Sequence, residues 1–224
     1  MMEHGAKRKV TITGTGSTSG GIFHSVKIMG EGQVNGAMES EIFRSTGTCS
    51  VKGDLKTKQY RQMGETSIEG DLYSNRLNVL GQIGVTGSLR GGTVKISGQL
   101  DVGGECEAEF FQAKGGFHVH GLLNAEKMVI RTFGPCHAKE IGGGNISVRQ
   151  SKLAEMKQWF SKKGPMELTA ETIEGDQIYL EYTNADIVRG STIILGPGCR
   201  IGQVEYRQSL RKNKHAIVNA EKKL

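Results

Sequence analysis

The segment Gly47–Gly81, GTCSVKGDLKTKQYRQMGETSIEGDLYSNRLNVLG, contains one phrase twice, and the second copy begins at an offset of 17 from the first. Glycines recur with this step in two series along the chain. The series are Gly30, Gly47, Gly64, Gly81, Gly98, Gly115 and Gly36, Gly53, Gly70, Gly87, Gly104, Gly121. A fixed step held over about half of the chain is typical of a solenoid in which each repeat forms one coil.

Apolar residues recur with the same step and predict the core. The predicted core ladder comprises Val34, Val51, Ile68, Val85, Val102, Val119, Leu55, Leu72, Leu89, Phe43 and Phe111. Within one coil the apolar positions alternate with polar ones, which indicates strands with one buried face. The alternation changes parity between positions 40 and 43, as a corner would require, and glycine suits corners with positive φ or close stacking.

We therefore predict an all-β fold, a right-handed parallel β-helix (solenoid) with three short strands in each 17-residue coil. The step favours this form over the left-handed coils of hexapeptide acyltransferases, because those coils are built from units of six residues. The segment Ile194–Gly202, ILGPGCRIG, is a single copy with a hexapeptide character.

The repeat divides the chain into four parts. Residues 1–20 are predicted to be a flexible basic lead-in, and residues 21–131 the regular core. Residues 132–206 are predicted to continue the β-helix less regularly, and residues 207–224 to form a basic tail or a last strand. The continuation is indicated by residues 138–149 and 170–181, which are similar at an offset of 32, close to two coils. Three further pairs share the offset of 17: Ile178–Leu195, Tyr182–Cys199 and Ile187–Val204.

The segment 151–164, SKLAEMKQWFSKKG, interrupts the second half and is predicted to be one short inserted helix. Its apolar stripe consists of Leu153, Met156, Trp159 and Phe160. We favour a helix packed on the flank of the rod or over a groove. The alternative is an amphipathic partner or membrane helix lying on an anionic bilayer, with the surrounding lysines facing the headgroups.

Composition favours a cytoplasmic protein. The four cysteines form no Cys-x-x-Cys pair, and Cys49 and Cys106 fall in inward columns, which indicates a reducing compartment. No signal peptide and no apolar run long enough to span a bilayer is visible. A peripheral position at the inner face of the cell membrane is the alternative to a purely cytoplasmic one.

The net charge of +6 includes a basic stripe with the 17-residue step, formed by Lys27, Arg44, Arg61 and Lys95. Such a stripe could attract phospholipid headgroups or an acidic partner along the side of the rod. Neighbouring columns carry acidic residues, so a solvated mixed surface is the favoured interpretation. No nucleic acid is expected as a partner, because no aromatic residues interleave with the cations.

No catalytic, cofactor-binding or metal-binding residues are predicted, and no cofactor is expected. His118 and His120 are the best candidates for chemistry, since they project from one face of a strand at roughly 6–7 Å. A metal needs a third and usually a fourth ligand, and we identify none nearby in the columns. Two surface histidines are the favoured interpretation. Gly142, Gly143 and Gly144 lack the Lys-Ser/Thr that follows in a phosphate loop.

The rows Gly47–Gly64 and Gly64–Gly81, with the phrase G-x-x-x-[VI]-x-G-[DS]-[LI], resemble the bactofilin family of polymer-forming bacterial cytoskeletal proteins. The resemblance covers roughly residues 20–131. It implies a right-handed β-helix that polymerises end to end without nucleotide, with filaments that scaffold cell shape, division-linked or motility structures. Two departures stand out: the first ten residues are polar and basic, and the C-terminal 90 residues look folded.

We therefore expect a non-enzymatic cytoskeletal scaffold whose partner is itself, as a homo-polymer or homo-oligomer formed through coil ends, or a related paralogue. A β-helix ends in unpaired strand edges that either a cap or a second subunit must cover. One end capped would restrict the assembly. The alternatives are an acyltransferase-type β-helix enzyme using His118 or His120, and a dimeric β-helical regulator of another cytoskeletal protein, like the C-terminal domain of cell-division inhibitors.

Overall fold

The structure, a computed structural model, describes residues 8–151 and 166–224. These residues form a parallel β-solenoid of about 10 turns. Its nine strands pair in chain order within one sheet. Their bounds are β1 Lys9–Lys52, β2 Leu55–Ile68, β3 Leu72–Val85, β4 Leu89–Val102, β5 Cys106–Gln150, β6 Leu168–Leu180, β7 Thr183–Leu195, β8 Arg200–Lys212 and β9 Ile217–Lys223.

The pairing register follows the repeat. Between β1 and β5 every Cα partner lies at an offset of 17 in residue number, as in Gly47↔Gly64 and Leu72↔Leu89. Like residues therefore stack on like residues along the axis. The predicted all-β parallel solenoid with about 17 residues per turn is confirmed. The right-handed sense of the coil stays a prediction.

The strands are longer than predicted, because the sheet continues around corners. β2, β3 and β4 each contain 14 residues. Their pairing skips one residue, Lys58 in β2, and continues through the corner glycine Gly64, whose φ is 120°. Three straight segments thus fit within one strand of each coil.

The first glycine series occupies a corner that excludes a side chain. All six of its members, Gly30 to Gly115, have positive φ. A Cβ atom on any of them would also collide with the carbonyl oxygen of the glycine one coil earlier. Both the backbone conformation and the spacing between coils therefore require glycine.

The core fills the inside of the coil. All eleven predicted core-ladder residues are at most 2% exposed. The aromatic members stack along the axis, since the rings of Phe43 and Tyr60 are parallel, with centroids 5.4 Å apart. Burial of these columns removes apolar surface from water, which stabilises the fold by about 25 cal/mol per Å² of buried apolar surface.

A second corner is tied by side chains that reach one coil further. The backbone N–H of Asp71 donates to Oδ1 of Asp54 at 2.8 Å, and that of Ser88 donates to Oδ1 of Asp71 at 2.8 Å. Glu105 N–H donates to Oγ of Ser88 at 3.2 Å. These bonds satisfy backbone donors where the strands are interrupted. We refer to Asp54, Asp71 and Ser88 as the corner ladder.

The predicted flexible lead-in over residues 1–20 is wrong from residue 9 onward, because β1 begins at Lys9. Ile12 is 8% exposed, and a Cβ on Gly30 would meet the carbonyl of Gly14. Gly14 and Gly30 differ by 16 in residue number, so the first coil is shorter by one than the regular step. The Gly/Ser/Thr composition of this segment suggested flexibility, but these residues occupy corners and outward positions of the first coil.

The three predicted 17-residue pairs in the second half are also wrong. Ile178 pairs with Ile193, and Ile187 pairs with Gln203. The steps are 15 from β6 to β7 and 16 at the start of β7–β8, where Asn184 pairs with Arg200. Tyr182 donates its N–H to the carbonyl of Pro197. These coils are shorter, so a constant step does not describe them.

The similarity at an offset of 32 is a direct pairing of neighbouring coils. Ile141 pairs with Ile173 and Ile146 with Ile178, both between β5 and β6. The offset therefore represents one coil plus inserted residues, and not two coils. The predicted helix at 151–164, with Leu153, Met156, Trp159 and Phe160, lies outside the described residues except for Ser151.

Candidate functional site

The first described coil of the solenoid has an apolar interior. Ile12 and Phe23 are buried, and Val10 packs partly buried against the core. The guanidinium carbon of Arg8 lies 4.9 Å from the ring centroid of Phe23. Ile22 is 74% exposed. Within residues 8–151 and 166–224, no strand pairs with the outer edge of this coil.

The sequence of this edge strand contains few features that oppose pairing. Residues 9–23 read KVTITGTGSTSGGIF, with Lys9 as the only ionisable side chain. Natural sheet edges are usually protected by charges, prolines or short strands. We call the strand over residues 9–23 the N-terminal edge.

The C-terminal end differs, because charged residues replace the core columns there. Lys212 lies over Leu195, and Glu221 lies over Val204. The preceding partner of Leu195 is Leu180. Lys212 Nζ and Glu221 Oε1 form an ion pair, with 39% and 38% of their side chains exposed. We call this pair the terminal ion pair.

The last described strand, β9, adds a further protective feature, because Lys222 and Lys223 lie on it. Inward-pointing charges and lysines are known means of preventing edge-to-edge pairing. The predicted basic end at 207–224 thus contains the end of β8 and all of β9. The sequence predicted the positive charge of this segment but not the terminal ion pair, whose signal is two charged residues in inward columns.

The predicted basic stripe lies on one flat face of the regular core. Arg44 pairs with Arg61, Arg61 with Asn78, and Asn78 with Lys95. Met63 and Leu80 lie two positions further along their strands and are 55% and 53% exposed. Together these residues line a shallow groove of about 530 Å³. Lys27 is exposed on the preceding coil.

This face is less mixed than the sequence analysis assumed. The segments 42–46, 59–63, 76–80, 93–97 and 110–114 contain five cationic residues and no acidic residue. The acidic residues Glu39 and Glu107 lie on another column, where they pair with Lys56 at 3.9 Å and Arg90 at 3.6 Å. Both surfaces face outward, and the corner between positions 40 and 43 separates them. We call the five segments the basic face.

The structure brings His118 and His120 together with two residues that the sequence analysis did not identify. The ring centroids of His118 and His120 are 4.0 Å apart, closer than the predicted spacing of roughly 6–7 Å. Asp101 Oδ2 lies 3.8 Å from His118 Nδ1. The His137 ring lies edge-on to His118, with centroids 4.9 Å apart. We call these four residues the histidine cluster.

The expectation that no further ligand lies nearby is therefore wrong. One potential ligand atom from each of Asp101, His118 and His120 lies within 4.8 Å of the others. Asp101 and His118 are register partners at the regular offset of 17, so the repeat itself contained the signal. His137 lies 17 residues after His120, so the repeat contained this signal as well. The coil lengthens here, since a Cβ on Gly116 would meet the carbonyl of Pro135 at an offset of 19, and His137 therefore lies against His118.

The surroundings of His118, at the centre of this cluster, lower the pKa of its imidazole. Desolvation lowers the pKa of His118, and the neighbouring His120 and His137 lower it further. Asp101 opposes this shift.

None of the residues that the structure describes forms a helix with the length and hydropathy needed to cross a bilayer.

Comparison with known proteins finds two relatives in Bacillus subtilis (strain 168). The chain is 38% identical over 105 residues to the uncharacterized protein YhbF, a match that covers 46% of this chain and 42% of YhbF. It is 38% identical over 109 residues to the uncharacterized protein YhbE, covering 47% of this chain and 44% of YhbE. The matched region thus spans less than half the length of these relatives. No family model matches the chain. No solved structure matches it either.

Proposed function

We propose that this protein is a non-enzymatic scaffold that self-assembles end to end through the coil ends of its β-solenoid, without nucleotide. The observation that carries the proposal is the N-terminal edge, a coil with an apolar interior and few charges. No other described strand pairs with the outer side of residues 9–23. A second copy can add its own strand there by β-augmentation. The contact would extend the ladder that already holds the coils together.

The most economical joint is between two N-terminal edges. A two-fold axis makes such a contact closed and self-complementary. Two edge strands related in this way run antiparallel, which is a favourable pairing. Val10 and Ile12 of one copy would then lie against the same residues of the other. We propose a head-to-head dimer as the building unit.

Growth beyond the dimer requires the C-terminal ends, and there the terminal ion pair weakens the contact. Stacking another coil on Lys212 and Glu221 would remove both from water, and the cost of desolvating the ion pair can exceed the attraction between the two charges. We therefore propose that dimers extend into filaments only at higher protein concentration. This is the restricted assembly that a partly capped end implies.

The cellular role follows from the resemblance of residues 20–131 to bactofilins. We propose that the assembly is cytoplasmic and organises cell-shape, division or motility structures, as resemblance to that cytoskeletal family suggests. The relatives YhbF and YhbE add no functional information. The proposal therefore depends on the coil ends and on the repeat phrase.

For the basic face we propose an anionic membrane surface as the partner. The flat geometry, the cations without neighbouring acids and the exposed Met63 and Leu80 suit headgroups and the upper acyl region. Each lysine or arginine near an anionic surface contributes about 1 kcal/mol. A filament repeats the face along its length, so many weak contacts would add.

Sedimentation with vesicles tests this partner. The wild type should co-sediment with vesicles containing phosphatidylserine and not with neutral phosphatidylcholine vesicles. The variant Arg61→Glu with Lys95→Glu should lose binding to the anionic vesicles. The control Lys56→Glu with Arg90→Glu makes the same charge change on another column. It should bind these vesicles more tightly than the first variant does. Equal binding of both variants would exclude the basic face as the contact.

The assembly itself is tested by negative-stain microscopy and light scattering over a range of protein concentrations without nucleotide. We expect rods of two solenoids at low concentration and filaments at high concentration. The variant Val10→Lys places a charge at the N-terminal edge and should give single solenoids. Thr48→Lys adds the same charge at an exposed position away from the edge, is the control and should retain the dimer.

The outcomes separate the alternatives. Single solenoids of the wild type at every concentration would refute the proposal. Dimers that never extend would favour the β-helical regulator of another cytoskeletal protein. Circular dichroism and a melting curve of Val10→Lys establish that its remaining coils are folded. An acyltransferase-type enzyme would require acyl-donor binding that is lost in the variant His118→Ala with His120→Ala.

A further inference from the structure

We infer that Asp101, His118, His120 and His137 form a binding site for a divalent transition metal of the zinc class on the side of the solenoid. The inference is independent of the proposed assembly. It starts from the histidine cluster, in which imidazoles and one carboxylate from three successive coils converge on the outer surface.

The fold places the side chains of the histidine cluster next to one another. Asp101 and His118 are paired across β4 and β5, so their side chains leave the sheet side by side. His118 and His120 lie two positions apart on one strand and therefore project from the same face. His137 approaches His118 from the following coil, edge-on. Strand backbone, and not a loop, thus positions the Cα atoms of all four residues.

Small side-chain rotations would complete the coordination. The ligand atoms of Asp101, His118 and His120 lie within 4.8 Å of one another. Zn–N and Zn–O bonds of about 2.0–2.2 Å require ligand atoms roughly 3.3 Å apart in a tetrahedron. The side chains of His118 and Asp101 are 41% and 56% exposed, so they can rotate by this amount without displacing the core.

The donor set selects the class of ion. Imidazole nitrogens suit zinc, copper, nickel and cobalt, whereas magnesium and calcium prefer sites made of oxygen ligands alone. Three imidazoles and a single carboxylate fit a four-coordinate zinc site. A substitution of any one histidine would leave an incomplete set of protein ligands.

The location suggests a structural effect. The regular 17-residue step ends here, since Gly116 lies against Pro135, at an offset of 19. A metal bound by Asp101, His118 and His137 would join the coils on both sides of this irregularity. Because it would bind the folded chain and not the unfolded one, it would raise the melting temperature.

Isothermal titration of tag-free, EDTA-treated protein with zinc chloride tests the site. We expect one ion per chain with a dissociation constant in the low micromolar range or tighter. A dissociation constant of about 1 µM corresponds to a binding free energy of about −8 kcal/mol. The variant His118→Gln with His120→Gln should bind at least about tenfold more weakly. The control His24→Gln with His215→Gln removes two histidines elsewhere and should bind as the wild type does.

Two further readouts keep the test decisive. Zinc should raise the melting temperature of the wild type and of the control, but not of His118→Gln with His120→Gln. Cobalt should give visible d–d bands typical of tetrahedral coordination in the wild type and the control, but not in the cluster variant. Binding weaker than about 100 µM, or equal affinity in the cluster variant and the wild type, would overturn the inference. Circular dichroism verifies that the cluster variant is folded, as expected for outward side chains.

Discussion

At the scale of single residues, the corner glycines determine how closely coils can stack. Gly98 has a φ of 138°, and a Cβ atom there would collide with the carbonyl oxygen of Gly81. Neither the backbone of Gly81 nor that of Gly98 can move without breaking the ladder. A glycine that is required both by its φ and by the close spacing of the coils should therefore tolerate substitution much less than a glycine on an open face.

We predict that Gly98→Ala lowers the free energy of unfolding by about 2 kcal/mol or more, because strain from positive φ and the collision combine. Gly84→Ala is the matched control, since nothing lies within 4 Å of its added Cβ and its φ is ordinary. The control should change stability by at most about 1 kcal/mol. Urea unfolding of both variants measures the difference, and equal midpoints would contradict the role of the corner.

The four cysteines provide a second test at this scale. All are buried and free. Desolvation raises the pKa of Cys49 and Cys199 to about 11, and that of Cys106 and Cys136 to about 12. Because the thiolate is the reactive form, we predict that Ellman's reagent at pH 8 modifies none of them in the native protein and all four in denaturant. Rapid modification of the native protein would contradict this burial.

The same thiols make stability dependent on pH in the alkaline range. Their ordinary pKa is 9.0, so above that pH the unfolded chain loses thiol protons that the native chain retains. The unfolded state then binds fewer protons, and the free energy of unfolding falls as the pH rises. Cys106→Ala should reduce this slope between pH 9 and 11, which denaturant titrations at several pH values would measure.

At the scale of the structural element, the coil is held both by strand pairing and by the corner ladder. Oδ1 of Asp71 accepts the N–H of Ser88 from the next coil at 2.8 Å. Asp71→Ala removes this acceptor and should lower the free energy of unfolding by about 0.5–1.5 kcal/mol. Asp71→Asn retains an oxygen at the same position and should be nearly neutral. The comparison of the two midpoints measures the hydrogen bond, and equal losses would indicate that charge matters instead.

At the scale of the whole molecule, the two ends of the solenoid have opposite properties. The N-terminal edge is nearly uncharged, whereas the C-terminal end has the terminal ion pair. Such a difference gives the rod a direction. It also means that the two kinds of joint in a filament need not have the same strength.

We predict that Lys212→Leu with Glu221→Val promotes filament growth, because it restores the apolar columns that end at Leu195 and Val204. Filaments should form at lower protein concentration than in the wild type, as seen by light scattering and microscopy. The control is Lys56→Leu with Glu39→Val, which removes an ion pair of 3.9 Å from the flank. If the control forms the same filaments, general hydrophobic association is the cause and the terminal ion pair is not a cap.

The repeat in the sequence determined the parallel solenoid, the 17-residue register of the regular part and the burial of the core ladder. The repeat could do so because stacked coils bring residues that are 17 apart into contact. The same requirement for a buried apolar side chain or for a corner glycine then recurs in every coil. Where the coils change length, the 17-residue spacing did not predict which residues pair. The shorter first coil, the steps of 15 and 16 after Leu168 and the step of 19 at Pro135 were not predicted.

The tertiary structure alone decided which residues meet across those irregular coils. It brought His137 to His118, and it placed Lys212 and Glu221 together over the end of the core. It also separated the basic face from the acidic column, which the linear order of charges does not reveal. The physical reason is that an added or missing residue shifts the position of every later side chain around the axis. Contacts beyond such a point depend on the backbone geometry of the whole coil and not on spacing.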